Sequence, residues 1–282
     1  MNPILTSLLY LLLSGIMIGL SKFSFDKISQ YKLDEQIKEK NFAPVIAFCG
    51  YLLGIIFILV GAYAGPSSDS LKTDVSMFVL YSLLGIFLMN LSNVFTDKLL
   101  LYKFSTKKEI IEDKNAGTAA VHFGIYLATG LIIAACVNGE FGGVLSSILY
   151  YVLGMCFLFI FFRIYDKITP YSIHDELEQD NCAVGIALGG NIIAIGIILM
   201  KATLGDISDA VQSMQLYLID LSSIILLLPS VRFILGNLII KSVNINTEIK
   251  NNNIAAGLAE FITIIGFALL IFFMVDFSTM VM

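Results

Sequence analysis

Eight apolar runs, each long enough to cross a hydrocarbon layer of about 30 Å as a helix, follow one another along the chain. They lie near Ile4–Ser21, Phe42–Ala64, Val75–Phe95, Ala116–Val137, Val144–Tyr165, Cys182–Met200, Met214–Gly236 and Ile254–Val275. The first has no Lys or Arg before it and so lacks the basic start of a cleavable signal peptide; it is expected to be a retained span. The polar segments between the runs alternate long and short. The pattern predicts an all-α, polytopic membrane protein whose eight transmembrane helices form four tandem helical hairpins. These group into two four-helix units, residues 1–140 and 141–282.

Composition agrees with the pattern. Of 282 residues, 57% are hydrophobic and 14% charged, and mean hydropathy is +0.87, where a soluble domain is about a quarter charged. A nucleic-acid-binding module, a cytosolic enzyme and a secreted disulfide scaffold are excluded. Fifteen of the 17 basic residues fall in the four long loops, and only Lys72 and Lys201 in the short ones. By the positive-inside rule the long loops are cytoplasmic and both termini lie outside. The net charge of −5 resolves the same way: the long loops hold 14 acids, the outer face Asp69, Asp74, Glu140, Asp206, Asp209 and Asp276, and the spans Asp220 and Glu260.

Each long loop ends in an acidic residue, a short polar turn and an asparagine that opens the next span. The four asparagines, Asn41, Asn115, Asn181 and Asn253, read as repeat helix caps whose side chains accept a first-turn amide. If the four helix N-termini converge, their dipoles also suit an anion. Aligned on the asparagine, offsets +2, +6, +9 and +13 form a small-residue stripe in which 14 of 16 positions are Ala or Gly. This 4-3-4 spacing lies on one helical face and lets backbones approach closely, so the even-numbered helices are expected to be the inner ones. Successive repeats share one orientation, and their symmetry axis is expected along the membrane normal.

The stretch Tyr165 to Gly190, with its Ile168-Thr169-Pro170 turn and Asn181-Cys182-Ala183 opening, resembles the YjfL-like inner-membrane family, or "domain of unknown function 350". Asn251 to Phe261, containing Asn253-Ile254-Ala255-Ala256, extends the likeness. The first half repeats it more loosely: Asp26-Lys27-Ile28 and Asp97-Lys98-Leu99 keep the entry without the Thr-Pro. The resemblance implies a bacterial inner-membrane location, two units in tandem and cytoplasmic membrane-stress proteins as partners. It implies no activity.

Intramembrane carboxyls are costly, at ~2.5–3.5 kcal/mol or more for a central charge, and are functional by default. Glu260 and His122 each sit seven residues after a cap asparagine, so they are equivalent positions of repeats four and two. With Asp220, and with Asn191 three residues on along the same face, they form a candidate ion or proton path. If the repeats surround an axis, His122 and Glu260 face each other across it, with Asp220 about 10 Å away in depth. The bland alternative is interhelical glue. Pro229 is expected to kink the seventh span. Cys49, Cys136, Cys156 and Cys182 form no metal-ligand spacing, and no nucleophile–base pair or nucleotide loop is present. No catalytic residue, metal or cofactor is therefore expected. Two functions remain: a channel or transporter for protons, small ions or a small solute, and a scaffold or sensor that recruits cytoplasmic proteins through loops such as the amphipathic Tyr31–Lys40. The bilayer is the one required partner. A homo-oligomer is compatible with the pattern, and nucleic acid is not.

Overall fold

The computed structural model describes residues 3–29, 31–99, 107–138, 143–204 and 210–275. Helix α1 (Pro3–Ile28) is followed by the short α2 (Leu33–Lys38), then α3 (Phe42–Ala64) and α4 (Leu71–Leu99). A π-helical turn (Lys108–Glu112) precedes α5 (Ala116–Cys136) and α6 (Val144–Ile168). The short α7 (Ile173–Glu178) leads to α8 (Cys182–Thr203) and α9 (Ala210–Ile234), which contains Pro229 and runs into a second π turn (Leu235–Ile239). The short α10 (Ile245–Lys250) and α11 (Ile254–Met274) complete the described chain. No strand occurs among the described residues, and the eight long helices are each long and apolar enough to cross a membrane. The loop residues Lys103, Glu140, Asp206, Asp209 and Asp276 lie outside the described residues.

The inner helices are α3, α5, α8 and α11, and they pack in that order as a row. Helices α4, α6 and α9 each bridge two neighbours in the row, while α1 lies against α3 and α4. This corrects the expectation of repeats surrounding an axis: the main contacts run from each inner helix to the next, so α5 and α8 are central and α3 and α11 are the ends.

The small-residue stripes of α3, α5 and α8 each meet the next helix in the row. A Cβ on Gly124 would lie 2.6 Å from the Gly189 carbonyl oxygen, and one on Gly190 2.7 Å from Phe261 Cα. Gly50 and Gly54 on α3 are closed in the same way by the backbones of Phe123 and Tyr126. Contact at this distance gains dispersion energy in lipid, where no hydrophobic drive brings helices together. At the ends of the row the corresponding positions are bulky. Ile262, 65% exposed, takes the place of Gly50, Gly124 and Gly190. Val45 and Ile56 on α3 take the places of Gly185 and Gly257 and of Gly130 and Gly196. The ends are thus built differently from the three internal junctions.

One corner motif sets all four inner helices. A left-handed residue (Lys40, Lys114, Asp180 or Asn252, φ 55–58°) ends the short helix or π turn, and the following asparagine caps the long one. Asn41 accepts from Ala43 N, Asn115 from Thr118 N, Asn181 from Val184 N and Asn253 from Ala255 N. Each cap also donates through Nδ2 to the residue that opens the corner: Gln36, Glu109, Glu176 or Glu248. Repeat two carries one extra residue between that partner and its asparagine, and the π turn absorbs it. In three repeats the same Nδ2 reaches the next repeat as well: Asn41 to the carbonyls of Ile110 and Ile111, Asn115 to that of Leu177, and Asn181 to those of Ile249 and Lys250. The caps therefore stitch the row together. Their side-chain amides are spent on carbonyls and carboxylates.

Glu109 shows what this corner costs a carboxylate. Burial pushes its carboxyl up, the Asn115 amide opposes that shift, and Asp113 adds to it. A raised folded-state value favours the protonated form. The associated stability is full in acid and lost as pH rises through that value. Gln36 fills the same role in repeat one without a charge. Glu109→Gln should therefore raise the melting temperature at neutral and alkaline pH and leave it nearly unchanged in acid, as read by thermal unfolding across a pH series.

Candidate functional site

The most deeply buried charged-type group is Glu260, 0% exposed in the middle of α11's inward face. Seven residues after its cap, it lies roughly 10 Å into the helix from the cap side. Its Oε1 accepts two hydrogen bonds: from Asn191 Nδ2 on α8 at 2.9 Å and from the Tyr165 hydroxyl on α6 at 3.2 Å. Asn191 Nδ2 also lies 3.2 Å from the Tyr165 hydroxyl and donates to the Ala187 carbonyl at 2.8 Å. Three helices thus converge on one carboxyl oxygen, away from lipid. Such an arrangement can hold the carboxyl in either protonation state, because Tyr165 and Asn191 retain other hydrogen-bonding capacity when a proton arrives.

The repeat explains why these residues meet. Each junction in the row has a slot made by offset +10 of one inner helix and offset +7 of the next. Between α8 and α11 these are Asn191 and Glu260; between α3 and α5 they are Tyr51 and His122; between α5 and α8 they are Ile125 and Leu188, both buried and apolar. The odd helices add an equivalent pair, Tyr165 and Phe25, each just before an Asp-Lys-Ile sequence. In the first slot Phe25 packs on Tyr51 with ring centroids 4.8 Å apart, Tyr51 lies 5.7 Å from Tyr126, and Tyr126 lies 5.8 Å from His122. The slot is therefore aromatic with one histidine in the first half, apolar at the middle, and carboxylic in the second half.

Of the four residues in the candidate path, the structure brings only Glu260 and Asn191 together. His122 stands at the α3–α5 junction, with the whole of α8 between its helix and Glu260's, so the two do not face each other across an axis. Asp220, buried in α9, forms an ion pair with Lys201 in the last turn of α8. Lys201 lies 20 residues from its cap asparagine and Glu260 seven from its own, which puts the two sites about 20 Å apart in depth rather than 10 Å. Asp220 and Lys201 each neutralise the other where the membrane would penalise either alone.

Tyr165 was not among the candidates, and neither was a buried polar network in the first half. There Tyr51 donates to Asn90 Oδ1, Asn90 donates to Ser24 Oγ and the Ile86 carbonyl, and Tyr126 donates to Asn93 Oδ1 at 2.8 Å. The sequence did carry a signal: Asn90 and Asn93 interrupt an apolar span at a spacing of three, which places them on one helical face.

The chain matches the family described as Domain of Unknown Function (DUF350) twice, over residues 1–137 and 140–275. It is 27% identical over 266 residues to the UPF0719 transmembrane protein of Aquifex aeolicus (strain VF5), covering 87% of this chain and 93% of that protein. It is 25% identical over 122 residues to the UPF0719 transmembrane protein YshE of Bacillus subtilis (strain 168), covering 43% of this chain but 87% of YshE. YshE is thus about as long as one of the two matched units. No solved structure matches the chain. The apolar Ile125–Leu188 slot falls between the two matched units, and each unit contains one polar slot. The chain belongs to the DUF350 (UPF0719) family of transmembrane proteins.

Proposed function

We propose that this protein moves protons, or a small cation in exchange for them, across the bacterial inner membrane, with its cap asparagines on the cytoplasmic side. Glu260 is the binding group, and Asn191 and Tyr165 hold it. The observation that carries this reading is a carboxyl with no exposure, placed by three helices inside the membrane where an equivalent junction of the same chain does without any polar group. A group needed only for packing has that apolar solution available. The roughly 2.5–3.5 kcal/mol or more charged to an intramembrane carboxylate is consistent with use rather than glue.

The test is flux. Purified protein in liposomes, loaded with a pH-sensitive dye and energised by a potassium diffusion potential, should change internal pH faster than empty liposomes. Glu260→Gln should abolish that difference, and Asp220→Asn should change it far less, because Asp220 belongs to a separate pair. Equal rates for wild type and Glu260→Gln would refute the proposal. Absent flux, together with loss of co-purifying proteins when the lysines of residues 32–40 are neutralised, would assign the chain to recruitment instead.

A further inference from the structure

At the membrane face opposite the cap asparagines, two cavities adjoin between α1 and its neighbours. The first, about 340 Å³, opens near the α3–α4 connection and is lined by Asp74, Asn138, Ser67 and Tyr81 among others. The second, about 440 Å³, is a groove between α1 and α3 at the depth of the hydrocarbon, lined by Leu11, Ser14, Ile18, Ile56 and Val60. Tyr10, Tyr63 and Phe78 line both. They form an edge-to-face cluster, with Tyr10 5.0 Å from Tyr63 and 5.2 Å from Phe78 between ring centroids.

The polar cavity has the chemistry of an ammonium receptor. Asp74 brings a carboxylate, held at the cavity by the Ser68 backbone N–H at 2.7 Å. The Tyr10, Tyr63 and Phe78 rings line the same cavity, and ring faces recognise organic cations. A carboxylate and an aromatic wall suit a positively charged donor and not an anion. The groove has the opposite chemistry, with Leu11, Ile18, Ile56, Leu59 and Val60 making most of its wall. A further inner helix of the same type is a poor occupant, because Ile56 lines the groove at the position where Gly130 and Gly196 stand at internal junctions.

We propose that the adjoining cavities form a site for an aminophospholipid of the adjacent leaflet. Its ammonium group sits between Asp74 and the Tyr10–Tyr63–Phe78 cluster, and one acyl chain lies in the α1–α3 groove. This site is independent of Glu260.

The test is lipid retention by the full chain, purified from nanodiscs of phosphatidylethanolamine and phosphatidylglycerol in equal amounts and read by native mass spectrometry. Wild type should retain phosphatidylethanolamine about fivefold over phosphatidylglycerol, the ratio expected from one carboxylate–ammonium contact at a partly exposed site. Asp74→Asn should bring that ratio close to one while total retained lipid stays the same. Ser14→Trp, which fills the groove, should lower retention of both lipids. Circular dichroism on each variant verifies the helical fold, and Asp74→Ser gives a second route to the headgroup contact should Asp74→Asn fail to fold. Equal retention of the two lipids by wild type overturns the proposal, as does an unchanged ratio in both headgroup variants. Tight binding of tetramethylammonium that survives Ser14→Trp assigns the polar cavity to a soluble organic cation and also overturns it.

Discussion

Gly124→Val should leave the protein unable to assemble its central helix pair. The added side chain starts 2.6 Å from the Gly189 carbonyl oxygen and 2.7 Å from Gly189 Cα, and backbone atoms cannot rotate away as a side-chain tip can. Gly189 in turn is closed by the Ala120 carbonyl oxygen, also at 2.6 Å, so neither helix has slack at this level. Overpacking a tight core typically costs ~1–3 kcal/mol and occasionally more. Here α5 and α8 must separate over several residues, so a loss beyond about 3 kcal/mol is expected. Gly15→Val is the matched control, since nothing lies within 4 Å of that position. Thermal unfolding in detergent, followed by circular dichroism, should show a large fall in midpoint for the first variant and almost none for the second.

Much of this architecture was legible in the sequence. The eight spans, the four cap asparagines and the inner position of the even helices all follow from local signals: apolar run length, cap chemistry and the Ala/Gly stripe. The order of the row did not follow, because a small-residue stripe says that something approaches closely and not what. The four repeats alone allow a ring as readily as a row. Ile262, with Val121 one of the two exceptions in the stripe, is the available sign that α11 is an end. The pairing of Asp220 is hidden because the apolar run ends at Met200 and puts Lys201 in a short loop, whereas α8 continues through it to Thr203. Tyr165 gives no signal of its own, because it stands beside Asp166 where the apolar run ends. The match between Glu260 and Asn191, in contrast, was within reach from the shared face of offsets +7 and +10.

The second large effect concerns the carboxylic slot. Asn191→Ile alone removes the shorter of the two described hydrogen bonds to Glu260 Oε1, and a buried polar group stripped of a partner costs ~1–3 kcal/mol, more if it is charged. The single variant should be clearly destabilised. Adding Glu260→Leu removes the polar group itself and recreates the Ile125–Leu188 pair that the chain already uses between α5 and α8. Replacing both partners by apolar groups of suitable shape can be nearly neutral or stabilising. The double variant should therefore recover the stability lost in the single one, although Tyr165 keeps a hydroxyl in the slot. The two changes are expected to be strongly non-additive, as for any pair in direct contact.

Proton flux through liposomes containing Asn191→Ile/Glu260→Leu, measured beside its melting temperature, tests the account most directly. The prediction is a protein as stable as wild type, or nearly so, that carries no flux above empty liposomes. Wild-type flux in that variant would contradict a transport role for Glu260. A double variant no more stable than Asn191→Ile alone would show that the carboxyl is needed to build the junction rather than to use it.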